Sequence, residues 1–219
     1  MKMLNRRIAR EFKMSLARFV SVSALLMLGV FVLLGLNVTG PNMRTTADQD
    51  YTAEHLADAK VTSAVSLNAE DRSTIRGLSG IKTVEFGHTT DAVIQKSQNA
   101  IRIQNNPQTL SKMTLTKGHK ATTADQIGLS NRWHGKYQLG DKITLEAGKT
   151  NASIGLANKT FTVVGFATST EYLRKDRLGN TSLGDGTLDG FAYVTESAFS
   201  SSEPNVARLA SSLPILRCR

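Results

Sequence analysis

Four histidines, one cysteine, a glycine-rich stretch with two aspartates and a scatter of serines are the groups in this 219-residue chain whose types could do chemistry. His55, His88, His119 and His134 are far apart in sequence and lack ligand spacing, so solvated or incidentally packed imidazoles are expected rather than a metal centre. Cys218 is the single cysteine, which excludes an intrachain disulfide and a cysteine-based zinc cage. Gly179, Gly184, Gly186 and Gly190 surround Asp185 and Asp189, but the stretch leads into a strand-like run instead of opening a helix. A tight loop is expected there in preference to a phosphate cradle, and a calcium site on Asp185 and Asp189 is the lesser alternative. No serine lies in a Gly-x-Ser-x-Gly elbow, and no Walker A sequence occurs. Asn37, Asn151, Asn158 and Asn180 open N-x-[ST] triplets, which a chain rich in serine and threonine produces by chance. No catalytic, cofactor-binding or metal-binding residue is assigned, and the chain is not expected to be an enzyme.

The elements that would position any such group follow from charge and hydropathy. Lys+Arg number 27 against 18 Asp+Glu, a formal net charge of +9. That excess is unevenly spread: Lys2, Arg6, Arg7, Arg10, Lys13 and Arg18 precede any acid but Glu11, and Arg208, Arg217 and Arg219 close the chain. Residues 44–207 are nearly balanced, with 18 basic and 17 acidic side chains. A basic body with interleaved aromatics is therefore lacking, and nucleic-acid binding is not expected.

Between Arg18 and Arg44 no side chain is charged, and Phe19 to Val38 is apolar on every face. Twenty helical residues at about 1.5 Å each span roughly the 30 Å hydrocarbon core of a bilayer, which predicts a transmembrane helix over residues 19–40. A cleaved signal peptide is the rival reading, with a weak site at Val38-Thr39-Gly40, but its apolar core should be shorter. The basic flank places the N-terminus in the cytoplasm and the residues beyond the span outside it. Leu4, Ile8, Phe12, Leu16 and Phe19 recur at spacings of four and three along the leader, residues 1–18, and into the span, opposite Arg6, Arg10 and Lys13, as in an interfacial amphipathic helix on anionic lipid, with an unstructured basic tail as the alternative.

Gly40-Pro41 is expected to end the membrane helix, because proline cannot continue the hydrogen-bond ladder. Ala47–Ala57 then reads as a short surface helix and Lys60–Ser66 as a strand. Asn68 with Asp71 three residues on has the pattern of a capped helix start, and Gly77–Gly80 its close. Strand-like runs follow at 82–86, 92–95, 100–104, 143–146, 161–167 and 191–194, with a break at Asn105-Asn106-Pro107 and a turn at Leu139-Gly140-Asp141. Short helices are expected at 132–137 and 196–199. Val163 and Phe166 are predicted core residues. The fold class expected is α+β: one N-terminal transmembrane helix, then a mixed extracytoplasmic domain over residues 41–212 and an atypical tail at 213–219.

The basic leader, the span, the exit Thr39-Gly40-Pro41-Asn42-Met43 and Thr46-Ala47-Asp48 resemble the start of an ABC-transporter permease of the FtsX/MacB-like family. Gly140-Asp141-Lys142-Ile143-Thr144-Leu145, the strand Phe161–Phe166, and Asp176-Arg177 leading through Ser182-Leu183-Gly184-Asp185-Gly186 to Gly190-Phe191-Ala192-Tyr193-Val194 resemble that family's extracytoplasmic core domain. The resemblance covers roughly residues 1–200. It departs at Ala121-Thr122-Thr123-Ala124-Asp125-Gln126, where the family has Pro and Glu, so an altered hairpin is expected after Gly118. It departs again at Leu213-Pro214-Ile215-Leu216-Arg217-Cys218-Arg219, where the family finishes the outer domain and adds three membrane helices, so a truncated or frameshifted product is expected.

The resemblance implies a permease component of an ABC transport system that relays ATP-driven motion to an outer domain. It implies a lipid bilayer, a separate ATPase subunit and further permease segments as partners, and no cofactor. A single-span binding or adaptor module is the alternative, and an anchored hydrolase comes third.

Overall fold

A computed structural model describes residues 15–95, 97, 99–148, 154–172 and 178–212. The leader residues Leu4, Ile8 and Phe12, the triplet at Asn151, the pair Asp176-Arg177, Cys218 and the tail from Leu213 lie outside them. The chain divides into two units, Met1–Asp50 and Tyr51–Arg219.

Helix α1 spans Leu16–Ala53, 38 residues, with no residue buried. It contains a window long and apolar enough to cross a membrane by length and composition. The expected stop at Gly40-Pro41 is not observed: Pro41 lies inside the helix, and the segment read as a separate helix from Ala47 is its distal part. A proline removes one N–H from the ladder at a cost of about 3 kcal/mol in a solvated helix. Neighbouring side chains supply extra bonds to the backbone there. Asn37 Nδ2 donates to the Leu33 carbonyl at 2.8 Å, Thr39 Oγ1 to Gly35 at 2.6 Å and Thr45 Oγ1 to Pro41 at 3.0 Å. The helix ends instead beyond Ala53, where His55 turns left-handed at φ 50°. His55 N–H donates to the Thr52 carbonyl at 3.3 Å and Leu56 N–H to that of Tyr51 at 2.9 Å. This pair of bonds closes the helix in a Schellman arrangement, with histidine in the place usually taken by glycine.

The second unit is α+β. Strands β1 (Ala59–Thr62) and β2 (Ile81–Gly87) flank helix α2 (Ala69–Arg76) in sequence. The Asn68 cap is as expected: its Oδ1 accepts from Asp71 N–H at 2.8 Å, and Asp71 Oδ2 accepts from Asn68 N–H at 3.1 Å. Eight further strands follow: β3 (Thr89–Ile94), β4 (Ala100–Asn105), β5 (Met113–Gly118), β6 (Gln126–Ser130), β7 (Lys142–Glu146), β8 (Thr160–Ser169), β9 (Gly190–Val194) and β10 (Val206–Ser211). The expected short helices are single 3-10 turns, Asn131–Trp133 and Glu196–Ala198.

Two sheets result. In the smaller, β10 lies between β1 and β2 and is antiparallel to both. In the larger, the order β8-β6-β9-β4-β3-β7 closes on itself, because β7 pairs with β3 on one edge and β8 on the other. The length of β8 permits this closure: Thr160–Thr162 pair with β7, while Gly165–Ser169 pair with β5. The hairpin expected after Gly118 is absent, since β5 and β6 do not pair with each other and both lie against β8. Gly118 has φ 80°, and a Cβ there would meet the Val164 carbonyl oxygen, which explains the residue at that crossing.

Alternation fills the ring. Ile101 and Ile103 of β4, Ala192 and Val194 of β9, and Val163 and Phe166 of β8 belong to one buried cluster, with Val163 and Phe166 placed as the sequence predicts. The residues between them on β4, Arg102 and Gln104, and on β9, Phe191 and Tyr193, take the opposite face, as the two-residue period requires.

Candidate functional site

That opposite face of β4 meets side chains from the small sheet. Lys60 comes from β1 and Arg208 from β10, directly opposite each other in the antiparallel register and so on the same face. Between them and β4 stands Glu171, from the 3-10 turn Thr170–Tyr172 that follows β8. Glu171 Oε2 lies 3.3 Å from Lys60 Nζ, and Oε1 lies 3.2 Å from Arg208 Nε. Gln104 Oε1 accepts from Arg208 Nη2 at 2.7 Å and from Lys60 Nζ at 3.3 Å, while its Nε2 donates to Tyr172 Oη at 3.2 Å.

One carboxylate thus serves two cations. Arg208 is wholly buried, and its Nη1 has no hydrogen-bond partner among the described residues. Burial alone would raise the Glu171 carboxyl, but Lys60 and Arg208 override it and hold the group below its ordinary value. Burial lowers Lys60 despite its contact with Glu171. Burial pushes the Tyr172 and Tyr193 hydroxyls well up, so both phenols stay protonated. Beside this cluster, Arg102 forms a forked pair with Asp91 of β3, at 2.7 and 2.8 Å, and donates to the Asn180 carbonyl at 3.1 Å. The hydrogen bonds to Asp91 raise the Arg102 guanidinium further.

Lys60 and Arg102 border two cavities. The larger, of about 610 Å³, is walled by the end of β1 and Ser63, by Thr89, Thr90 and Asp91 of β3, and by Ser182 and Asn205. The smaller, of about 370 Å³, also touches Asp58, Ser111, Glu171 and Tyr172. The arrangement has charged and hydroxyl groups converging on open space. Such groups suit the binding of a polar ligand.

Two further carboxylates tie segments to the ring. Glu54, just past α1, accepts from Thr114 Oγ1 at 2.6 Å and from Thr170 N–H at 3.0 Å, and its carbonyl accepts from Lys112 N–H at 2.8 Å. Glu85 of β2 accepts from the backbone N–H groups of Gln108, Thr109 and Leu110 at 2.7, 2.9 and 2.6 Å.

The sequence-flagged groups are dispersed. His88 is buried where the chain leaves β2 for β3, stacks on Phe199 at 4.9 Å and has its Nε2 3.7 Å from Glu196. His134 meets Phe166 edge-on, while His55 and His119 are exposed. Asp185 accepts from Thr187, within its own loop, whereas Asp189 accepts from Ala100 N–H at 2.9 Å, so the two carboxylates are engaged in separate tasks. The glycine-rich stretch is a loop, closed by a bridge between Asn180 and Thr187. Asn37 is in α1, and Asn158 donates to the Ala124 carbonyl at 3.3 Å.

Sequence reasoning missed the Lys60–Glu171–Arg208 cluster. Arg208 reads there as part of a basic C-terminal excess, yet it is flanked by Val206, Ala207, Leu209 and Ala210, an apolar setting that signals a buried strand.

No protein-family model matches the sequence, and no curated protein matches it. Solved structures do. The extracellular domain of the noncanonic ABC-type transporter YknZ from Gram-positive bacteria is similar at a TM-score of 0.40 and 14% identity, over 76% of this chain and 80% of that one. The periplasmic region of MacB from Actinobacillus actinomycetemcomitans gives 0.37 and 11%, over 69% and 68%. A domain described as that of a permease protein from Porphyromonas gingivalis gives 0.35 and 9%, over 71% and 65%. Two of these three are thus extracellular or periplasmic regions, one of them of an ABC-type transporter, and the third is a domain of a permease protein.

Proposed function

We propose that the chain is a permease-type component of an ABC transport system, anchored by α1 and exposing residues 41–212 outside the cytoplasm. The observation that carries the reading is the 38-residue, membrane-length helix running without a break to the residue before Glu54, whose carboxylate is bonded to the ring. The sequence resemblance from the basic leader through Gly190–Val194 supports it. In this reading a separate subunit supplies the nucleotide-binding loop, and motion of the span reaches the outer domain through the joint at Glu54 and His55. Further permease segments complete the conduit, because one helix cannot enclose a polar path.

The test is purification of the full chain from its native membrane in mild detergent. An ATPase subunit bearing a G-x-x-x-x-G-K-[ST] loop should accompany it and hydrolyse ATP, while the chain alone in vesicles should neither hydrolyse ATP nor move a solute. Recovery of the chain free of any such subunit, or turnover by the chain alone, would overturn the proposal.

A further inference from the structure

We propose that the larger cavity beside Lys60 and Arg102 binds the oxyanion group, phosphate or carboxylate, of a small hydrophilic ligand. This site is independent of the transport reading, since every wall belongs to the second unit.

Charge is the first argument. Lys60, Arg102 and Asp91 are the charged side chains on this cavity, leaving one positive charge in excess among the described residues. Asp91 is already committed to Arg102 by two short bonds and is a weak deterrent to an anion. Lys60 uses two of its three donor directions on Gln104 and Glu171, which leaves one for a ligand. The smaller cavity is different: Asp58 and Glu171 line it and balance the same two cations, so an anion is directed to the larger one.

The donors around the cations are the second argument. Ser63 Oγ accepts from Val65 N–H at 3.2 Å, so its own proton is free to point elsewhere. Thr90 Oγ1 donates to the Ile154 carbonyl at 2.8 Å and keeps its lone pairs for a ligand hydroxyl or amide. Ser182 adds a third hydroxyl from the glycine-rich loop. A volume of about 610 Å³ suits a small molecule, and walls of hydroxyl, amide and charged groups exclude an apolar one.

Lys60 itself is the reporter. Burial lowers its pKa, so more of it is the free amine, and therefore open to acylation, than of a solvated lysine at the same pH. The full chain, in phosphatidylcholine nanodiscs at mildly alkaline pH, would be pulsed with an amine-acylating ester and the modification rate of each lysine read by mass spectrometry. The added probes are inorganic phosphate, glycerol 3-phosphate and glutamate, with glycerol and matched sodium chloride as controls. A separate arm replaces part of the lipid by phosphatidylglycerol. At a probe concentration about four times its dissociation constant, Lys60 should be acylated about fivefold more slowly while Lys142 on β7 is unaffected. Protection by the phosphate compounds alone identifies phosphate as the group, protection by glutamate alone identifies carboxylate, and protection in the phosphatidylglycerol arm identifies a lipid headgroup as the source. Equal slowing at Lys142, or no slowing of Lys60 by any probe, would overturn the proposal.

Discussion

Glu171 lies between Lys60 and Arg208, and removing its charge takes the counter-ion from a wholly buried arginine and a partly buried lysine. Glu171→Gln should therefore destabilise the outer domain by about 3–5 kcal/mol, because breaking a buried pair strands the surviving charge. Chemical unfolding of the variant beside the parent reads this directly, and an unchanged midpoint would refute it. The sign with pH is set by the depressed carboxyl: the contribution is complete above the ordinary glutamate value of 4.5 and is lost as pH falls through the lower folded one. His88 gives a second window. Burial lowers its pKa below 6.5, with Glu196 opposing, so the folded state prefers the neutral ring. Stability from this residue is present above 6.5 and declines as pH falls toward the folded value. His88→Phe keeps a ring against Phe199 and removes the titration. The fall in melting temperature between about pH 7.5 and about pH 5.5 should be smaller in the variant, and an equal fall in both would count against the assignment. Neither residue declared itself in sequence. A lone glutamate and a lone histidine carry no partner information, and their partners lie far off in sequence.

Among the elements, β8 organises the ring, since three strands depend on it. Phe161–Ala167 is a largely apolar run that carries Val163 and Phe166, so this strand and its buried residues were legible from the sequence. Phe166→Ala should cost about 2–5 kcal/mol, the lost transfer energy plus a cavity, measured as a thermal midpoint of the full chain in detergent. No change would place Phe166 outside the core. The Asn68 capping box and the strands at 82–86, 100–104 and 191–194 were equally legible, because their signals are local. Three strands were not. β5 (MTLTKG) and β6 (QIGLS) are short, with a glycine at the end of one and in the middle of the other. β10 has an arginine at its centre. The continuation of α1 through Pro41 was also hidden. Proline chemistry alone predicts a stop, yet Pro41 lies inside the helix.

At the scale of the molecule, the charge asymmetry around α1 predicts an N-terminus inside and a C-terminus outside. Protease added to intact spheroplasts should digest the outer domain and spare the leader, and a protected outer domain would reverse the topology. The division into an apolar helix and a mixed domain was readable from hydropathy and periodicity, whereas the separation of that domain into a closed ring and a small sheet was not. Sheet closure depends on which distant strands find each other, and composition does not encode it. The small sheet has a temporal consequence. Its central strand is the last among the described residues, and β1 and β2 pair with it and not with each other, Ala59 meeting Leu209 and Val84 meeting the same residue from the other side. The ring needs only residues from Thr89 to Val194 and can close while β1 and β2 still wait. As the chain leaves the ribosome, both early strands therefore expose unpaired edges through the synthesis of everything between them. The cluster around Glu171 comes together only when Arg208 arrives, so the small sheet and its charged cleft are born after the ring.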